Sequence, residues 1–136
     1  MKVELFVLCD AATDYQGKLN ILGTFDSIWS RQVPAVHPLC AVALRLRFEK
    51  KEEGEHKVRI SIVDQDGVEV VKPVDATVNV RFRNVPLQSL ATNIILNLQV
   101  LTFPRYGAYS INLVVDGREG GSLPLVINQI PPQANN

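Results

Sequence analysis

The sequence predicts an all-β fold: an antiparallel two-sheet sandwich of seven to nine strands, Ig-like or jelly-roll in type. Three observations carry this. Valine and isoleucine contribute 27 residues against 24 for leucine and alanine, a balance that favours strands because β-branched side chains fit a pleated, half-buried surface. Apolar residues alternate with polar ones in five separate segments, as expected of strands with one dry and one mostly wet face. No stretch of ten or more residues carries a helical 3.6-residue period.

In chain order, residues 2–9 and 18–25 read as strands around a loop at 10–17. Residues 27–31 extend the second strand or form a short one of their own. Val33–Pro38, with two prolines, reads as a crossing loop. Val42, Leu44, Leu46 and Phe48 then alternate with Ala43, Arg45 and Arg47, and Val58, Ile60 and Ile62 alternate with Arg59 and Ser61. The loop Glu52-Glu53-Gly54 keeps Phe48 and Val58 on one face, so these two strands read as a hairpin. Asp64-Gln65-Asp66-Gly67 makes another turn. After a break at Lys72-Pro73-Val74-Asp75, Val78, Val80 and Phe82 mark the fifth strand. In the long sixth, Ile94, Leu96, Leu98 and Val100 alternate with Ile95, Asn97 and Gln99.

Tyr109, Ile111, Leu113 and Val115 set the core face of the next strand, which Asp116-Gly117-Arg118 turns back towards Leu123 and Leu125. Pro124 lacks an N–H and so places the last strand at a sheet edge. The run Pro104–Ile111 looks like a tyrosine corner, in which a Tyr hydroxyl bonds back to nearby backbone. Residues 1–130 read as one domain and 131–136 as a flexible tail.

Composition narrows the function classes. A chain of 136 residues suits one domain with a substantial core. Hydrophobic residues at 46% and charged residues at 21% exclude disorder. Fourteen basic and fourteen acidic residues cancel, which removes the usual reason to expect nucleic acid or an anionic membrane. No apolar run is long enough to span a bilayer. Glu4 interrupts an N-terminal apolar segment already too short for export, so the expected location is the cytoplasm. Cys9 and Cys40 lack a C-x-x-C arrangement and read as small buried hydrophobes.

Motifs for chemistry are sparse. His37 and His56 lie in separate loops without further ligands nearby. Asp64-x-Asp66-Gly67 begins like a calcium loop, but Val68 takes a ligand position, and a plain turn explains the aspartates. A calcium cluster of Asp10 and Asp14 with Asp116 and Glu119 is the alternative. No metal or other cofactor is assigned. No nucleophile elbow, phosphate-cradling loop or Cys/His signature occurs, so a non-enzyme is expected.

Surface features carry the rest. The hairpin reading sets Arg47 opposite Arg59 and Arg45 opposite Ser61, with Arg81 and Arg83 extending a basic stripe. This stripe is either an anion-binding face or a solvated face whose arginines meet acids such as Glu69. Ile95, Leu101, Val63 and Val114 fall on supposedly wet faces, which suggests a partner protein, most simply a second copy in a two-fold dimer. The leading expectation is therefore a non-catalytic module acting through a protein–protein surface. The alternative is a small-ligand or carbohydrate site built on the end-loop aromatics Tyr15, Trp29 and Tyr106; Trp29 otherwise serves as a core cap or an interface anchor.

Cys9-Asp10-Ala11-Ala12, followed by Gly17-Lys18-Leu19-Asn20-Ile21-Leu22-Gly23-Thr24-Phe25-Asp26, resembles the opening of a family of small uncharacterised bacterial β-proteins. Gly107-x-Tyr109, Val115-Asp116-Gly117 and Leu123-Pro124-Leu125-Val126 are similar to that family's ending. The resemblance spans nearly the whole domain and implies a bacterial cytoplasmic protein built as one β-sandwich. It carries over no activity and no functional residues.

Overall fold

A computed structural model describes residues 1–84 and 86–132. The strands are β1 (Lys2–Tyr15), β2 (Lys18–Thr24), β3 (Ser27–Ser30), β4 (Ala35–Glu49), β5 (Gly54–Val63), β6 (Val74–Val80), β7 (Ser89–Phe103), β8 (Gly107–Val115) and β9 (Arg118–Gln129), with a single 3₁₀ turn at Lys50–Glu52. They form a four-stranded sheet in the order β2-β1-β4-β7 and a five-stranded sheet in the order β3-β9-β8-β5-β6. Among the described residues no helix is long and apolar enough to cross a membrane. Most of the tail expected at 131–136 lies outside the described residues.

Inward side chains of both sheets gather in one core. Leu44, Leu46 and Phe48 come from the four-stranded sheet, and Ile60, Ile111 and Leu125 from the five-stranded one. Alternation therefore places these residues inside, as their spacing predicts. The turns agree as well. Val115 pairs with Arg118 across Asp116-Gly117, with φ of 50° and 78° at the two turn residues, the left-handed pair that a two-residue hairpin needs. The Asp64 carboxylate accepts the N–H groups of Asp66 and Val68 at 2.9 and 3.0 Å, an Asx turn.

Several expectations require correction. The five-stranded sheet is mixed, because β3 pairs with β9 in parallel. β9 is not an edge strand over 126–129; the stretch holding Pro124 is bordered by β8 alone, which is how the proline is tolerated. Residues 10–15 continue β1 as strand, up to a two-residue turn at Gln16-Gly17. Most importantly, β4 and β5 are not a hairpin. The 3₁₀ turn carries the chain from one sheet into the other. Phe48 and Val58 do both face the core, but from different sheets.

The far half of the β1–β2 hairpin folds back over the outer face of the four-stranded sheet. β1 leaves β4 after the pair Cys9↔Ala41. Ala12, Leu19 and Ile21 of the hairpin then pack on Cys9, Ala41, Ala43 and Ile95, making a second small core. Asn93 on β7 fastens the tip, its amide donating to Asp14 Oδ2 at 3.0 Å and to the Gly17 carbonyl at 3.1 Å. The bend depends on Gly23 (φ 68°), where an added Cβ would lie 2.4 Å from an Asp10 carboxylate oxygen. Ile95, expected on a face awaiting a partner, is thus covered by the chain itself.

Candidate functional site

The four arginines singled out by the sequence do not form one stripe. Arg45 and Arg47 project from the outer face of the four-stranded sheet, whereas Arg59 belongs to the five-stranded sheet. Arg81 follows directly after β6, beside Lys50 and Glu53. Their charges are largely met inside the chain. The β1–β4 register slips between Val3 and Leu5, and this bulge sets Glu4 outward beside Leu5. Its carboxylate accepts from Arg45 Nε at 3.2 Å and from Arg47 Nε at 3.0 Å. Arg45 also donates to Asn93 and Arg47 to Ser89. The Arg47 hydrogen bond holds the Glu4 carboxyl below its ordinary range against the opposing effect of burial. Across the molecule Arg59 meets its ladder partner Asp75 through two hydrogen bonds, at 2.8 and 3.2 Å. The sequence signal for this was Asp75, the second residue of β6; Glu69, the acid expected there, makes no ion pair with Arg59.

The aromatics also disperse. Tyr15 stands exposed at the tip of the β1–β2 hairpin, which is anchored on Asn93. Tyr106 lies just past Phe103 at the other end of β7, ten strand residues or roughly 33 Å away. The Tyr106 hydroxyl donates to the Ser30 carbonyl at 3.2 Å and its ring is half-buried. Trp29, read as a core cap or an interface anchor, is 57% exposed on the outer side of β3. Tyr109 completes the tyrosine corner, its hydroxyl donating to the Arg105 carbonyl at 2.7 Å and accepting from the Arg105 N–H at 3.1 Å.

One polar cluster was not anticipated. His56, on β5, lies between Asp116 Oδ2 (2.6 Å from Nδ1) and the Glu52 carbonyl (2.5 Å from Nε2), with its ring 4.4 Å from that of Phe48. Both partners are acceptors, so only the doubly protonated imidazolium satisfies both. Burial opposes the charge, but the bonds to Asp116 and Glu52 outweigh it and raise the His56 pKa above its ordinary 6.5. Asp116 Oδ1 accepts the Lys57 N–H as well, and the Glu52 carboxylate pairs with the N-terminal ammonium. The cluster ties the crossing turn to the β8–β9 hairpin and the chain start.

Cys9 and Cys40 are unpaired and buried, one in the small outer core and the other in the main core. Burial pushes the Cys40 thiol up to about 11, which keeps it protonated and unreactive. Among the described residues no three His, Cys, Asp or Glu side chains gather where they would hold a metal.

The long strands change phase near their ends. Leu98 and Leu101 are both buried, while Val100 between them has φ 53° and is 66% exposed. Val100 was expected to point inward and Leu101 outward; the left-handed residue reverses the alternation. β4 shifts opposite it, with Ala35 and Cys40 buried and Val36 and Leu39 each 55% exposed. Val36, Leu39 and Val100 thus leave an apolar strip uncovered where the folded hairpin stops.

The segments around Asp10–Asp26 and Leu123–Val126 meet where the chain passes between sheets: Phe25 N–H donates to the Leu8 carbonyl and Val126 N–H to the Asp26 carbonyl. No curated protein matches the chain. A family model matches residues 4–128, and the chain belongs to that family, the family of unknown function DUF6941.

Proposed function

We propose that this domain is a non-catalytic interaction module, a two-layer sandwich that acts through a protein–protein surface on its four-stranded sheet. The single observation that carries the reading is the uncovered strip of Val36, Leu39 and Val100, adjoining apolar positions on the same sheet that the chain covers for itself. Contiguous exposed apolar surface beside a polar rim suits a partner. A second copy meeting the first across a two-fold axis is the simplest. The sandwich reading is supported by the core drawn from both sheets, and its Ig-like variant by the Tyr109 corner. Glu4, Asp64, Asp75 and Asp116 are engaged in internal ion pairs, which supports a structural rather than a catalytic use of these acids. Buried unpaired cysteines fit a reducing cytoplasm.

Light scattering across protein concentration tests the reading. The wild type is expected to dimerise through more than about 1,000 Å² of buried surface, and Leu39→Arg to return it to monomer while keeping its melting temperature. A strict monomer at high micromolar concentration overturns self-association. A small-ligand or carbohydrate site on Trp29 and Tyr106, without the distant Tyr15, is the second reading, favoured by the exposed Trp29 one residue before Ser30, whose carbonyl holds Tyr106.

A further inference from the structure

We infer that the seam between β6 and β7 is a binding site for a small aliphatic carboxylate. Among the described residues no strand of one sheet pairs with a strand of the other, and β6 and β7 are both edge strands. Between the free edge of β7 and segment 70–74 they part around a cavity of about 400 Å³. That lies within the roughly 300–1,000 Å³ of small-molecule sites. Ile60, Ile62, Leu98 and Leu101 line it from the core, and Val70, Val71 and Val74 line the approach to β6. An unbranched apolar chain suits such a lining.

Two features argue for a ligand rather than a packing gap. The first is Val100, which lines the cavity. A β-branched residue in the left-handed region is a costly choice, and here it sends outward a side chain that strand alternation would aim at the core. Leu101 takes the inward place, and the strained residue is part of the lining. The second is charge. Lys72 is the one charged residue of the lining and is exposed. It makes no ion pair among the described residues. Asn97, Gln99 and Thr102 add neutral polar groups to the same lining. One cation with amide donors matches a single carboxylate above an apolar tail; a phosphate ester would call for several cations or a nest of backbone N–H groups.

Methyl-resolved NMR titration with octanoate, kept below its micelle concentration, tests this. Saturable shifts are expected at Ile60, Ile62 and Leu98. Lys72→Glu, at an exposed site, is expected to weaken binding roughly tenfold, as loss of one charge-assisted contact does, and octylammonium to bind more weakly than octanoate. Absence of saturable shifts, shifts confined to Val36 and Leu39, or equal binding of octanoate and octylammonium overturns the assignment. Val74→Phe, which fills the cavity, provides the second variant: a folded Val74→Phe protein that binds octanoate as tightly as the wild type also overturns it.

Discussion

His56 shows how much a single side chain can organise when both of its nitrogens are committed. Its imidazolium is anchored by the Asp116 carboxylate and the Glu52 carbonyl, so its raised pKa makes folding depend on pH. The stabilisation is complete below the unfolded value near 6.5 and fades as pH climbs through the higher folded value. Thermal melts of the wild type are therefore expected to fall in midpoint from pH 6 towards pH 9. His56→Gln, which cannot carry the charge, is expected to remove that part of the slope; a slope unchanged in the variant would refute the role. Nothing in the sequence marked this residue beyond its lying outside any metal motif, because its partners are 4 and 60 residues away. Glu4 was similarly opaque. It interrupts an apolar run, and only the bulge beside it shows that it lies between two guanidinium groups.

At the scale of elements, alternation proved informative about faces and silent about sheets. Phe48 and Val58 point inward, and that condition is met equally by a hairpin within one sheet or by a turn crossing to the facing sheet. The sequence holds the first constraint and not the choice, so Arg47 and Arg59 were set side by side when they project from different sheets. The turn at 64–67 and the β8–β9 turn were legible because Asp and Gly there satisfy local backbone needs. The left-handed Val100 was not, since no local preference favours it. The folded-over hairpin gives the element-scale prediction. Ile21→Asp places a charge against Ala41, Ala43 and Ile95 and is expected to cost about 2 kcal/mol in denaturant unfolding. The mirror change Leu22→Asp, on the hairpin's exposed side, is expected to cost less than about 0.5 kcal/mol. Equal costs would contradict the folded-over arrangement.

For the molecule as a whole, the main core is one body drawn from both sheets, so the domain is expected to unfold in a single transition. Leu44→Ala, at a site with no exposed surface, is expected to lower stability by about 3 kcal/mol while far-UV circular dichroism and tyrosine fluorescence still report coincident curves. Separate midpoints for the two probes would show that the sheets melt independently. The fold class was readable because burial of alternate residues is a whole-chain regularity that five segments state independently. The candidate sites were less readable, since an apolar strip or a seam between sheets is made by positions that only the tertiary arrangement brings together.

The β1–β2 hairpin acts as a built-in cover, and its hold on the sheet is modest: three apolar side chains and one asparagine. Were it to lift, Ala41, Ala43 and Ile95 would join Leu39 and Val36 in one unbroken sticky surface, while the main core stayed intact. On the interaction proposed above, that wider surface would be the larger area open to a neighbouring molecule.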